Sequence, residues 1–144
     1  MQREFPTQPI VGVGAVVIQD GRALLVRRGG EPLAGKWSVP GGVLELGETL
    51  RHGAEREALE ETGLVVRAGD VLEVFDSIVP APEGRVRYHF VLIDFLCTVE
   101  GGELRAGGDA TDVRWITPAD LPGLSLRPTI LSVLRKGFAA ASSM

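Results

Sequence analysis

GVLELGETLRHGAEREALEETGL, residues 42–64, runs from a glycine-led loop into a helix and stops at another glycine. The spacing of its apolar positions predicts that helix from Thr49 to Thr62, with Leu50, Ala54, Ala58 and Leu59 toward a core and Gly63 just past its end. Gly53 lies inside it at a cost of about 1 kcal/mol relative to alanine, so either close packing or weak propensity is tolerated there. Glu57, Glu60 and Glu61 are i, i+3 and i+4 neighbours and share roughly one third of the helix circumference. These like charges repel, and they crowd a helix C-terminus, where the macrodipole disfavours anions. A divalent cation would reverse that sign, since Mg²⁺ takes hard oxygen ligands and commonly bridges a few carboxylates to a substrate's phosphates. A solvated acidic face explains the same turn without a ligand, because glutamate is a good helix former and mostly exposed.

The acidic turn belongs to a longer pattern: glycine, five residues, glutamate, seven residues, Arg-Glu, apolar, any, Glu-Glu, any, glycine, apolar. Those places are Gly42, Glu48, Arg56, Glu57, Ala58, Glu60, Glu61, Gly63 and Leu64. From this chain's own residue frequencies, the fixed positions would coincide by chance on the order of 10⁻⁵. The pattern resembles the signature of the Nudix (MutT-like) hydrolases, with Ala58 small where that family more often carries a bulky apolar residue. The resemblance implies an α/β (α+β) fold, a mixed β-sheet sandwiched between α-helices, as one domain over residues 1–144 with its signature at 42–64. It also implies a metal-dependent pyrophosphohydrolase that attacks a phosphoanhydride with activated water. By the same resemblance Glu57, Glu60, Glu61 and the carbonyl of Gly41 hold one to three Mg²⁺ or Mn²⁺ ions, Glu48 supports the metal shell, and Arg56 orients a glutamate by an ion pair. The general base is Glu57 or a later acidic residue, with Asp109 the second candidate and Glu103 and Asp112 also open. Spacing does not choose among the loop residues.

The rest of the composition is compatible with this chemistry. A chain of 144 residues is long enough for one buried core, and a formal charge of −4 argues against a nucleic-acid polymer as partner. A small nucleotide conjugate needs only a local basic patch. All but Lys36 and Lys136 of the 15 basic residues are arginine, which suits phosphate recognition, although a coding bias gives the same skew. Residues 1–9 show no signal pattern and no apolar run reaches membrane-spanning length, so the expectation is a cytoplasmic protein away from membranes. The lone Cys97, inside the apolar run Val91–Val99, excludes an internal disulfide and reads as core. His52 and His89 are too scattered to imply a triad or an imidazole metal site.

Val11–Ile18 and Ala23–Arg28 read as a β-hairpin about Asp20-Gly21, followed by a short extended Lys36–Val39. Val65–Arg67, Val71–Ile78, Arg85–Val99 and Asp112–Ile116 read as further strands, Val79–Gly84 as a loop and Glu100–Glu103 as a turn. Thr117 caps a helical turn with Pro118 first in it, Pro128 opens a closing helix to about Phe138, and residues 139–144 are expected to fray.

KWSVPGG (36–42) and DVRWITPADLP (112–122) look like the small bacterial ADP-ribose pyrophosphatase and MutT-like group. In that family a proline near Pro80, 16 residues past Leu64, is a weak mark of ADP-ribose enzymes. Trp37, Phe75, Tyr88 or Phe90 stacks on a base or fills the core. Arg27 and Arg28 reach a phosphate or ribose or lie at an exposed edge. The expected reaction releases a nucleoside monophosphate from a nucleoside diphosphate linked to another moiety, with ADP-ribose favoured. The alternatives are a MutT-like nucleoside triphosphate pyrophosphatase and a non-catalytic nucleotide-sensing domain. The apolar Ile10–Val17 run suits a homodimer contact or a core strand.

Overall fold

Strand β1 (Ile10–Gln19) sorts its side chains by parity: Val13, Ala15 and Val17 enter one apolar cluster, and Val16 and Ile18 enter another on the opposite face. That alternation is the period-2 geometry of a strand buried on both sides. The computed structural model describes residues 2–31 and 33–143. Asp20 and Gly21 both have positive φ, 52° and 74°, the conformation that a two-residue hairpin requires, and they return the chain into β2 (Arg22–Arg28). There Leu24 joins the first cluster, and Ala23 and Leu25 join the second.

The remaining strands are β3 (Trp37–Ser38), β4 (Gly41–Val43), β5 (Leu64–Pro80), β6 (Val86–Gly102) and β7 (Ala110–Ile116). Their order is β3-β2-β1-β6-β5, with β4 also on β1 and β7 also on β2. β1 and β6 run parallel from Ile10↔Phe90 to Val17↔Cys97, and the other pairings are antiparallel, so the sheet is mixed. Helix α1 (Leu50–Thr62) closes one face through Ala54 and Ala58, and α2 (Pro128–Ser142) closes the other through Ile130, Val133 and Leu134. A 3-10 helix at Pro118–Gly123 follows Thr117, whose amide donates to Asp120 Oδ2 at 2.8 Å. Cys97 is fully buried. No helix among the described residues is long and apolar enough to cross a membrane.

Several boundaries differ from the sequence expectation. β5 is one strand where two were expected, because shifts of register near Ala68–Val71 carry the pairing across Gly69-Asp70. The expected loop residues Val79 and Pro80, and the expected turn residues Gly101 and Gly102, all lie in the β5–β6 ladder. Helix α2 continues past Phe138 to Ser142: alanine is the best helix former, and Ala140 and Ala141 pack on the second cluster. Met144 lies outside the described residues. Leu50 and Leu59 do not join the core, being 38% and 49% exposed. Leu59 is turned about 140° around the helix from Ala54, and the buried side is built instead from Gly53, Ala54, Ala58, Glu61 and Thr62. The Ile10–Val17 run is accounted for by its central place in the sheet.

Candidate active site

The ends of α1 are fixed by its own sequence. Thr49 Oγ1 accepts from the His52 amide at 3.2 Å, and Gly63, at φ 75°, donates its amide to Leu59. The loop after β6 then caps the helix. The amides of Glu103, Arg105 and Gly107 donate to the carbonyls of Gly63, Thr62 and Glu61, at 3.2, 2.9 and 3.1 Å. A later loop is thereby tied to the helix that carries the acidic face. Gly53 is also explained, since a Cβ there would fall 2.9 to 3.1 Å from Leu44, Glu48 and Val13.

Two of the three carboxylates are drawn under the glycine turn. A Cβ on Gly42 would sit 2.5 to 2.7 Å from the carboxylate of Glu57, so only glycine leaves that space. Glu61 is 6% exposed, and its Oε1 accepts from the Gly41 amide at 2.8 Å. Burial is the main force on both acids. It raises the Glu57 pKa, and it raises that of Glu61 to about 7, where the charges of Glu57 and Asp109 add to it and Gly41 and Arg28 oppose it.

Arg56 is the cation that organises the remaining acids. Its Nε and Nη2 grip the two oxygens of Glu48 at 2.6 and 3.0 Å, Nη1 reaches Glu57 at 2.9 Å and Glu60 at 3.2 Å, and Nη2 also donates to the Val43 carbonyl at 3.1 Å. This two-pronged pairing holds the Glu48 carboxyl below its ordinary range and the guanidinium above its own. Glu60, 51% exposed, is thus turned toward Arg56. Among the described residues no three acidic, imidazole or thiol side chains converge as a preassembled metal cluster. The donor set still fits a hard divalent ion: buried Glu61 and half-buried Glu57, both with raised pKa values, lie beside the glycine turn, and the Arg56 cation at Glu57 is shared with Glu48 and Glu60.

On the other face of the sheet, beside the same glycines, lies a cavity of about 120 Å³. Gly12, Gly14, Phe75, Phe90, Asp94 and Arg127 are among its walls, and Arg28 also reaches it. Tyr88 stacks on Phe90 with ring centroids 6.2 Å apart but does not line the cavity. Trp37 packs with the second apolar cluster, and exposed Arg27 turns its Nε to the Gly35 carbonyl, so the structure does not bring these two to the cavity. A register shift against β7 falls between Arg27 and Arg28 and breaks the regular alternation of β2 there. Asp109 lies on the loop tied to α1, its carbonyl accepting from Gly29 at 2.8 Å and its charge felt by Glu61. Asp112 is exposed and takes the Val113 amide at 2.8 Å, and exposed Glu103 stays at the helix cap. The sequence reading missed Asp94 and Arg127. A lone acid within VLIDFLCTV (91–99) was the available signal for the first.

The sequence profile described as the NUDIX domain matches residues 8–137. An ADP-ribose pyrophosphatase of Methanocaldococcus jannaschii is 37% identical over 117 residues, 81% of this chain and 67% of that protein. A MutT-like protein of Streptomyces ambofaciens is 35% identical over 116 residues, 81% of this chain and 68% of that one. The crystal structure of a MutT NUDIX hydrolase from Burkholderia pseudomallei superposes with a TM-score of 0.73 at 32% identity, covering 90% of this chain and 98% of its own.

Proposed function

Because the chain belongs to the Nudix hydrolase family, we propose that it cleaves the phosphoanhydride of a nucleoside diphosphate linked to another moiety, ADP-ribose foremost, and releases a nucleoside monophosphate. The observation that carries this reading is the pair of carboxylates, buried Glu61 and half-buried Glu57, set against Gly41-Gly42, which also border the cavity. The M. jannaschii relative, named an ADP-ribose pyrophosphatase, supports the choice of substrate.

One to three Mg²⁺ or Mn²⁺ ions held by Glu57, Glu60, Glu61 and the Gly41 carbonyl would neutralise phosphate oxygens and acidify a bound water. Glu60 would join such a set on release from Arg56. The chain's own groups do the rest. Arg56, anchored on Glu48, fixes one oxygen of Glu57 and leaves the other to receive the proton of the attacking water. The water oxygen bonds to phosphorus, the bond from phosphorus to the bridging oxygen breaks, and the second phosphate departs. The Gly41 amide holds Glu61 in place throughout. Asp109, near Glu61, is the second candidate for the proton. Arg28, between the acids and the cavity, is suited to a phosphate or ribose, a role that Arg27 and Trp37 do not share.

We also propose that residues 8–137 act as one domain, in the cytoplasm. A second reading, a triphosphate pyrophosphatase, is favoured by the MutT-like relatives. Retention of all the charged signature residues opposes a purely sensing role. Monophosphate release over a panel of ADP-ribose, nucleotide sugars, dinucleoside polyphosphates and nucleoside triphosphates with Mg²⁺ tests the choice. The expected result is cleavage of ADP-ribose at the highest kcat/KM; tight binding without cleavage by folded, metal-loaded protein would mark a sensor.

A further inference from the structure

Asp94 is a carboxylate in the middle of an otherwise apolar strand. It is 4% exposed, and its Oδ2 is buried without a hydrogen-bond partner. Across the parallel ladder its neighbour is Gly14, where a Cβ would overlap Asp94 Oδ1. A glycine inside a strand and an unpaired buried carboxylate both disfavour the fold, and here they occur together. Among the described residues one other buried side-chain polar atom lacks a partner, Nε of Arg127, on the wall of the same cavity. Burial pushes the Asp94 carboxyl up to about 6, with Glu73 adding to the rise and Arg127 opposing it. The cavity therefore offers an unmet acceptor and an unmet donor between the apolar walls of Phe75 and Phe90. Gly41 and Gly42 border the cavity and the acidic site alike, Gly41 through its amide to Glu61 and Gly42 beside the Glu57 carboxylate.

We propose that Asp94 reads the substrate's nucleobase, accepting a hydrogen bond from the exocyclic amine of adenine while Arg127 donates to the adjacent ring nitrogen. This rests on the nucleotide-conjugate reading of the site. It makes Asp94 a specificity-determining residue remote from the reacting bond.

Calorimetric binding of nucleoside monophosphates to the full chain with Mg²⁺ tests it without turnover. Wild-type protein should bind AMP at least about tenfold more tightly than purine riboside 5′-monophosphate, the same ring without the amine. N6,N6-dimethyl-AMP should bind no better than the latter, a comparison that needs no variant. In Asp94→Leu the preference should collapse to less than about twofold by weakening of AMP alone. Equal binding of AMP and the amine-free nucleotide by wild-type protein, a preference that survives Asp94→Leu, or GMP bound more tightly than AMP would each overturn the assignment. If AMP is preferred through Asp94 and no diphosphate conjugate is cleaved, the hydrolytic reading fails and this one stands. If conjugates are cleaved with no regard to the base, only this one fails.

Discussion

Under α2 the sheet is closed by Ile130, Val133 and Leu134, all at most 3% exposed, whereas under α1 it meets Gly53, Ala54, Ala58 and the buried carboxylate of Glu61. The α2 side is held by large apolar side chains. The α1 side has its large apolar side chains on the sheet, Phe95, Leu24 and Ile93 among them, while the helix contributes small residues, caps and the Arg56 network, and Glu57 fits under Gly42. Both faces thus carry apolar core, but the helix that closes the α2 face supplies large side chains and the one that closes the α1 face supplies the acids. Where the cavity interrupts the α2 side, Asp94 Oδ2 and Arg127 Nε lack partners, and β4 borders both the cavity and the acids.

The largest effect should come from emptying the apolar side. Leu134→Ala should lower unfolding free energy by about 3 kcal/mol in urea titrations, with kcat per folded molecule unchanged. A large loss of kcat there would break the division between the faces. Next, Glu57→Gln should reduce turnover at least about a hundredfold, or roughly 2.7 kcal/mol, while leaving the urea midpoint of metal-free protein equal or higher, because a raised carboxyl is replaced by a neutral group. Unchanged turnover would remove Glu57 from the mechanism. Gly42→Ala should cost about tenfold in activity by displacing the Glu57 carboxylate, with a smaller change in stability, measured by steady-state kinetics alongside thermal melting.

The most graded effect is in pH. The folded-state pKa of Glu61 is raised to about 7 from 4.5, and that of Asp94 to about 6 from 3.8, so the folded chain binds more protons than the unfolded one across those windows. Both groups contribute stability that is complete below the unfolded values and is lost as pH rises through the folded ones. Metal-free protein should therefore melt at lower temperature at pH 7.5 than at pH 5. Saturating Mg²⁺ should remove the part due to Glu61 and leave the part due to Asp94, which Asp94→Asn should flatten. A slope abolished by Mg²⁺ alone would deny the separation of the two sites.

Much of the acidic site was legible because it is local. Glu57, Glu60 and Glu61 share a face by helix geometry, Gly63 ends the helix where its φ demands glycine, and β1 and β2 announce themselves as apolar runs on either side of the Asp20-Gly21 turn. The exposed Leu50 and Leu59 were misplaced because apolar spacing reports a helix without saying how narrow its buried side is. β5 was divided because Gly69-Asp70 looks like a turn, and only its partner strand shows that the register shifts while pairing continues. Trp37 and Arg27 each carried two readings, substrate contact or core for one and substrate contact or exposed edge for the other, and only packing distinguishes them: Trp37 lies against the second apolar cluster and exposed Arg27 bonds the Gly35 carbonyl.

By itself the sequence determined the family, the acidic helix face and the glycine turn beside it, since these depend on spacings of a few residues along one backbone. Only the tertiary structure decided that Arg56 ties Glu48 to Glu57, that the loop bearing Asp109 caps the helix, and that Asp94 lies across from Gly14 at a cavity. These contacts join segments far apart in the chain, and sheet pairing and face-to-face packing fix them where no local periodicity can.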